Sequence, residues 1–118
     1  MTVGKHQREK GKRGERAWRD VLRDAGFATA YRTQQFSGKS PCGSADVNCP
    51  ELPDLHFEVK NVEKLNVWAA YDQAVADAPE GKVPVVAITK NKRGFICVVG
   101  GEDLMEILSE SSLVQSDD

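Results

Sequence analysis

The sequence predicts an α/β fold in which helices flank a mixed β-sheet, with elements in the order α-β-β-β-α-β-β-α. Three observations support this class. A helical stripe of apolar residues lies near the N-terminus, short segments of alternating polarity follow it, and residues 83–89 form an almost continuous apolar run. Such a run is typical of a strand buried on both faces of a sheet. The chain has 118 residues, of which 40% are hydrophobic, and this size suits one domain.

The first half of the chain is predicted to hold one helix and three strands. In order, these elements cover residues 14–26, 27–33, 45–49 and 55–60. Apolar side chains recur at helical spacing before Gly26, which provides a C-terminal stop. A loop rich in Gly, Ser and Pro, over residues 34–44, separates the first two strands. Residues 50–53 join the next two strands, and their two prolines enforce a turn.

The second half is predicted to hold a helix, two strands and a last helix. In order, these elements cover residues 66–78, 83–89, 95–99 and 102–109. Asn66 is a suitable N-cap, because its side chain can accept a hydrogen bond from a backbone N–H of the first turn. Pro79 and Gly81 end that helix, and residues 91–94 form the turn between the strands.

Charge is distributed unevenly along the chain. The net charge is −2, but residues 1–19 carry seven Lys or Arg against two acids, and residues 101–118 carry six acids and no base. This asymmetry predicts a flexible basic arm over residues 1–11, a single domain over residues 12–110 and a flexible acidic tail over residues 111–118. An anionic partner is expected for the arm, and the alternative is a solvated tail without a partner.

Composition predicts a soluble, cytoplasmic protein, or one in the host cytoplasm if the source is viral. No segment approaches the roughly 18 apolar residues of a membrane span, and the basic N-terminus lacks the apolar run of a secretory signal. Cys42, Cys49 and Cys97 form an odd, sparse set, which favours a reducing compartment. Cys49 and Cys97 are expected to be small core residues. The alternative is a zinc site that adds His56, although no CxxC pair supports it.

The turn between the second and third strands predicts a pair of carboxylates. Side chains alternate along a strand, so Glu58 and Lys60 share one face of residues 55–60. A hairpin centred on Leu52 places Asp46 directly opposite Glu58, and directly opposed Cβ atoms lie roughly 4.5–5.5 Å apart. Two carboxylates that close repel each other. They are therefore expected to bind a hard divalent cation such as Mg²⁺.

Asp54 is a second aspartate near Glu58, but its spacing excludes it from the same site. The two residues are separated by four positions on one strand, which is roughly 13 Å at about 3.3 Å per residue. One ion cannot bridge that gap, so Asp54 is interpreted as a turn residue. His56 shares the face of Glu58 and is expected at the surface.

The spacing of Asp46 and Glu58-Val59-Lys60 resembles the motif of the PD-(D/E)xK nuclease superfamily. Ala45 stands where the name of the motif has a proline. The predicted order of elements is similar to the superfamily core, and the resemblance covers roughly residues 11–99.

Three further features of the sequence extend the resemblance. Glu15, at the start of the first helix, is similar to the superfamily's helix-borne glutamate, and Gln73 falls where many members carry a glutamine. The short length and the Ser37-Gly38 loop before the motif are most similar to archaeal and phage Holliday junction resolvases.

The resemblance implies metal-dependent hydrolysis of phosphodiester bonds in DNA, with one or two Mg²⁺ or Mn²⁺ ions per site. Asp46, Glu58 and the Val59 carbonyl are the implied metal ligands, and Glu15 reaches the site through metal-bound water. Lys60 is implied to orient or deprotonate the attacking water, or to stabilise developing negative charge. The full implied catalytic set is Glu15, Asp46, Glu58, Lys60 and Gln73.

Several basic and hydroxyl side chains are candidates for contacts with DNA. They are Lys10, Lys12, Arg13, Ser37, Lys39, Ser40, Lys90, Lys92 and Arg93. Contacts of this type to phosphates supply affinity without sequence specificity. The sequence contains no recognisable base-reading motif, so selectivity for branched or four-way DNA is expected instead. Paired cuts in a junction imply a homodimer with two-fold symmetry.

Other interpretations of these residues stay open at the level of sequence. The same fold could cut flaps, nicks or single strands, or could serve as a non-catalytic nucleic-acid-binding module or a protein-interaction domain. Glu58 and Lys60 could be an ordinary exposed strand pair, and Glu15 could simply favour the helix N-terminus. Trp18 and Trp68 are expected in the core rather than as platforms for base stacking.

Overall fold

The structure is a computed structural model that describes residues 2–34, 45–91 and 93–115, and only the backbone of residues 2 and 3. Its elements are α1 (Thr2–Asp24), β1 (Tyr31–Arg32), β2 (Val47–Asn48), β3 (Leu55–Asn61), α2 (Val67–Asp77), β4 (Val83–Thr89), β5 (Ile96–Val99) and α3 (Gly101–Ser109). They confirm an α/β fold in which helices flank a five-stranded mixed sheet. None of the helices within the described residues is long and apolar enough to cross a membrane.

The strands follow their chain order across the sheet, so β3 lies in the centre. β3 pairs with β4 in parallel, and the other three pairs of neighbours are antiparallel. A parallel pair needs a crossover connection, which α2 supplies between β3 and β4. The short turn before β3 permits the antiparallel pairing of β2 with β3 and fixes its register.

Helices cover both faces of the central strand. Trp18 and Leu22 of α1 are buried against one face, where Phe57 is part of the same core cluster. Ala70 and Ala74 of α2 are buried against the opposite face. The face of β3 that the sequence predicts as polar is therefore covered by a helix, which explains why its polar side chains are buried.

Helix α1 begins at Thr2, so residues 2–11, predicted as a flexible basic arm, are helical instead. This segment contains several good helix formers, including lysine, arginine and glutamate. Glu9 and Lys12 form an ion pair one turn apart, at 3.8 Å. Asn61 Nδ2 also donates a hydrogen bond to the Lys10 carbonyl at 3.0 Å, which ties the helix to the end of β3.

Two local sequence signals end α1 and begin α2 as predicted. Gly26 adopts a positive φ of 108°, and the Phe27 N–H donates to the Leu22 carbonyl at 3.0 Å, which is the pattern of a Schellman cap. Asn66 caps α2, since its Oδ1 accepts a hydrogen bond from the Ala69 N–H at 3.0 Å. Asp54 lies exposed in the turn before β3, as predicted.

Some predictions about individual side chains are confirmed and others are wrong. Trp18 and Cys49 are buried in the core, as predicted. Cys97 is exposed because it lies on β5, an edge strand. Trp68 is 76% exposed, since the buried stripe of α2 consists of Ala70 and Ala74. Ser37, Lys39, Ser40, Cys42, Lys92 and residues 116–118 lie outside the described residues.

Gly14 allows α1 to approach β3 closely, and this contact makes a testable prediction. A Cβ at position 14 would lie 2.8 Å from Asn61 Cβ and 3.5 Å from Val59 Cγ1. Gly14→Ala is therefore expected to lower the free energy of unfolding by about 1–3 kcal/mol, as overpacked cores do. Gly11→Ala is the matched control, since a Cβ there meets nothing within 4 Å in the same helix. It is expected to be neutral or to stabilise the protein by up to about 1 kcal/mol. Urea unfolding of both variants checks this, and equal effects would contradict it.

Candidate active site

Strands β2 and β3 separate at Asp46, and the side chain of this residue takes over the role of a backbone group. Val47 pairs with Phe57, which confirms the predicted register that places Asp46 opposite Glu58. The Asp46 N–H donates to the Phe57 carbonyl at 3.0 Å. The Val59 N–H then donates to Asp46 Oδ2 at 2.9 Å, so a carboxylate replaces the carbonyl that would continue the ladder. This fork orients the Asp46 carboxylate.

Glu58 is buried beside the fork and is strongly affected by its neighbours. Its side chain is only 10% exposed. Burial and the adjacent Asp46 carboxylate raise the pKa of Glu58 to about 9, and Lys60 opposes that shift by its positive charge. Burial disfavours the ionised form of this carboxyl group most, and the charges of Asp46 and Asp77 disfavour it further.

Glu15 extends the acidic cluster from the side of α1. Burial and the charge of Asp46 raise the pKa of Glu15, and a hydrogen bond from Arg32 opposes the rise. Arg32 Nη1 donates to Glu15 Oε1 at 3.2 Å. The predicted helix-borne glutamate therefore faces the same region as Asp46, and it is paired with an arginine of β1.

His56 is the principal polar residue whose environment was wrongly predicted. It was expected at the surface, but it is 2% exposed. Its Nε2 lies 2.9 Å from Glu58 Oε1. Burial lowers the pKa of His56, while the charges of Asp77 and Asp46 oppose that shift. The alternation that puts His56 beside Glu58 is visible in the sequence, but the covering helix is not.

Lys60 and Gln73 occupy different positions relative to the acidic cluster. Lys60 is half-buried, and its ammonium lies close enough to lower the pKa of Glu58. Gln73 is exposed on α2, where its Nε2 donates to both oxygens of Asp77 at 3.1 Å. Asp77 in turn raises the pKa values of Glu58 and His56 through its charge. Gln73 is thus linked to the cluster through Asp77, a residue that sequence reasoning missed.

A basic cleft of about 330 Å³ opens between α1 and the end of β1, next to Glu15. It is lined by Arg8, Gly11, Lys12, Glu15, Arg32 and Gln34. Of these, only Lys12 was a predicted DNA contact. The one-turn spacing of Arg8 and Lys12 could have indicated the first, since residues four apart share a helix face. Only the tertiary fold brings Arg32 and Gln34 to the cleft.

The other described candidates for DNA contact do not line this cleft. Arg13 lines a separate shallow cavity of α1, and the Lys10 carbonyl is bound to Asn61. Lys90 and Arg93 line a mainly apolar groove near β5. The structure therefore brings the predicted basic residues to three different surfaces rather than one.

The donor set at the fork suits a hard cation. Within the described residues, no group of three or more His, Cys, Asp or Glu side chains is arranged to hold a metal ion. Mg²⁺ needs less, because one or two carboxylates with water and substrate oxygens complete its octahedron. Asp46 and Glu58 supply two carboxylates whose mutual repulsion a cation would offset. The alternative zinc site is excluded by the order of the strands. Cys49 directly follows β2 and Cys97 lies on β5. Because β3 and β4 lie between them, the two cysteines cannot share a zinc ion.

Comparison of this chain with protein-family models, with curated proteins and with solved structures found no significant match.

Glu58 makes the stability of the cation-free protein depend on pH. Its pKa is raised in the folded state from the usual 4.5 to about 9, so the folded protein retains a proton that the unfolded chain has lost. The free energy of unfolding should therefore fall as the pH rises through that interval. Glu58→Gln should remove this dependence and exceed the stability of the wild type at pH 8 by roughly one to a few kcal/mol, at about 1.4 kcal/mol per pKa unit.

Urea unfolding in EDTA across this pH range measures the difference between wild type and variant. Asp54→Asn is the matched control, because Asp54 is an exposed turn carboxylate four residues away. It should leave the pH dependence unchanged. A Glu58→Gln curve parallel to that of the wild type would contradict the assigned environment.

Proposed function

We propose that this protein is a divalent-cation-dependent DNA endonuclease with a PD-(D/E)xK core, and that it resolves four-way or otherwise branched DNA as a homodimer. The observation that carries the proposal is the meeting of Asp46, Glu58 and the charge of Lys60 at a fork in the sheet, with Glu15 on the adjacent helix. A binding module or protein-interaction domain has no use for two neighbouring carboxylates of which one is buried and the other half-buried.

The fold supports the same proposal. A mixed sheet with its motif-bearing strand in the centre and helices on both faces is compatible with the PD-(D/E)xK core. The central position gives Glu58 and Lys60 a rigid support, which a catalytic site requires.

The carboxylates would hold Mg²⁺ or Mn²⁺ together with the Val59 carbonyl. When bound, the cation would supply a water of lowered pKa and positive charge for the phosphate. Asp46 is kept in one orientation by the Val59 N–H, so its carboxylate does not need to be ordered on binding. Glu58 would lose its proton when the cation binds, because positive charge favours the ionised form.

Lys60 and Glu15 have separate tasks in this proposal. The Lys60 ammonium, already close to Glu58, would stabilise negative charge on the phosphate in the transition state or orient the attacking water. Glu15, on α1, would hold a metal-bound water near Asp46. It is paired with Arg32, and both residues line the basic cleft. A role for Gln73 would be exerted through Asp77, to which it is hydrogen-bonded.

The basic cleft would bind the DNA backbone beside the acidic cluster. Arg8, Lys12 and Arg32 are suited to phosphate oxygens, and Gln34 is suited to sugar or phosphate groups. Contacts of this type read backbone position and not base sequence, which favours selection by DNA shape. Flaps, nicks and single strands remain the alternative substrates of the same site.

Cleavage of labelled DNA tests the proposed function directly. Wild-type protein with Mg²⁺ or Mn²⁺ should make paired symmetric cuts in a four-way junction, in preference to duplex, flap or single-stranded DNA. Asp46→Asn and Glu58→Ala should each lower the rate by more than the roughly 10–100-fold typical of groups that only orient a metal ligand. Asp54→Asn is the matched control and should cut at the wild-type rate.

Other outcomes separate the alternatives. Cleavage of flaps or single strands in place of junctions would retain the nuclease and reject the resolvase. Binding of DNA without cleavage by the wild type, with either cation, would favour a non-catalytic module. Activity of Glu58→Ala at the wild-type level would reject the site.

The basic cleft predicts the salt dependence of DNA binding. Arg8→Ala and Lys12→Ala should each weaken binding and lower the slope of log affinity against log salt by about 1, because each removes one phosphate contact. Lys82→Ala is the control, since Lys82 is an exposed lysine before β4 that does not line the cleft. Fluorescence anisotropy with a labelled junction over a range of salt concentrations, in Ca²⁺ or EDTA, measures the slopes. Equal slopes for all four proteins would contradict a role for the cleft.

A further inference from the structure

His56 contacts the candidate metal ligand Glu58 from inside the protein. Its Nε2 is 2.9 Å from Glu58 Oε1, and the His56 side chain is 2% exposed. The two residues are two positions apart on β3, so their side chains leave the strand on the same face. This face is the one against which α2 packs, through Ala70 and Ala74.

Burial restricts what His56 can do. A side chain this deeply enclosed cannot contact a DNA phosphate or exchange protons with bulk water in a catalytic step. An apolar residue at this central strand position would avoid the cost of burying an imidazole. Among the interactions of the described residues, the hydrogen bond to Glu58 is the one that compensates His56 for its lost hydration.

We infer that His56 is a positioning residue, which holds Glu58 Oε1 by a hydrogen bond from Nε2–H so that the second oxygen is presented to the divalent cation. The inference rests on the proposed function, because it gives Glu58 the role of a ligand. Carboxylate ligands of metal ions are commonly hydrogen-bonded in this way by groups that do not touch the metal, and loss of such a group costs about 10–100-fold in metal affinity or activity.

The charges around the pair favour this arrangement. The charge of Asp77, on α2, acts on both His56 and Glu58, and the charge of Asp46, the residue before β2, acts on them as well. Lys82 is the cationic group whose charge reaches His56. Once Glu58 has lost its proton on cation binding, its carboxylate needs a donor, and the negative charges of Asp46 and Asp77 also favour an N–H over a lone pair at Nε2.

Metal dependence separates a positioning role from a purely structural one. His56→Leu removes the donor and should raise the Mn²⁺ concentration for half-maximal junction cleavage about 10–100-fold, while saturating Mn²⁺ restores most of the rate. His56→Gln retains an N–H donor at similar reach and should restore most of the lost affinity. Val86→Ala is the matched control, because Val86 is buried beside Glu58 on β4 and its loss should lower stability only.

Direct Mn²⁺ binding, followed by electron paramagnetic resonance without DNA, makes the outcomes distinguishable. A wild type that neither binds Mn²⁺ nor cleaves DNA would reject the proposed function and this inference together. A wild type that binds and cleaves, with an unchanged midpoint in His56→Leu, would reject only the positioning role. A midpoint shifted equally by Val86→Ala, or not rescued by His56→Gln, would also overturn it.

A measurement on the unmodified chain covers the case in which His56→Leu fails to fold. Nitrogen-15 NMR of the ring distinguishes the two neutral tautomers of a histidine. We expect the Nε2–H form for His56 in Mg²⁺-saturated protein, with Nε2 shifted on titration of Mg²⁺. The Nδ1–H form, with a lone pair at Nε2 facing Glu58, would overturn the inference. His6 supplies the reference signal of an exposed histidine.

Discussion

The hydrogen bond from the Val59 N–H to Asp46 Oδ2 joins the framework of the sheet to its chemistry. Here the Asp46 side chain accepts the hydrogen bond of the Val59 N–H, because the backbone of the chain before β2 no longer pairs with β3. An unpaired buried N–H costs about 1–3 kcal/mol, so the carboxylate stabilises the fold as well as the site. The same bond lets β2 diverge from β3 while Asp46 stays next to Glu58. Replacement of Asp46 would therefore affect both this hydrogen bond and the proposed cation ligand, which is why the isosteric asparagine is the informative change.

Helix α1 has a comparable double role on the other side of the fork. Gly14 brings the helix backbone against Asn61, and Asn61 in turn binds the Lys10 carbonyl. The residue after Gly14 is Glu15, so the tightest point of the helix–strand contact sets the position of this carboxylate. One turn earlier, the same helix contributes Lys12 to the basic cleft. A change in the helix position would thus displace the acidic cluster and the cleft together.

The site could be predicted from sequence where local rules decide the geometry. The two prolines between β2 and β3 leave one compact turn, and the turn fixes the register that pairs Asp46 with Glu58. The cap at Asn66 depends on one side chain and its own backbone. The environment of His56 depends instead on a helix that returns over the strand from elsewhere in the chain. Alternation along β3 cannot reveal such a cover, because a solvated polar face and a buried one have the same period.

The other discrepancies have related physical causes. The pattern of residues 2–11 is that of a charged, glycine-containing tail, and it does not reveal the hydrogen bond that the distant Asn61 donates to the Lys10 carbonyl of the helix. Trp68 is large and apolar, yet small residues provide the close packing of α2 on the sheet, as Ala70 and Ala74 do. Arg32 had no signal in its own segment, because its partner Glu15 lies on another element. Sequence patterns predict the conformation and polarity of a single element. The environment of each of these residues is set by a second element that packs against the first.

The cluster of Glu15, Asp46 and Glu58 is costly in the absence of a cation. Burial and mutual repulsion raise the pKa of both glutamates, so part of the folding free energy is used to keep the carboxylates together. Groups that break the rules of packing in this way are expected at functional sites, where the rest of the fold compensates for them. A ligand that binds only the folded state stabilises it by mass action. Under the proposed function, a bound cation would offset the repulsion between these carboxylates, so its binding would stabilise the folded protein.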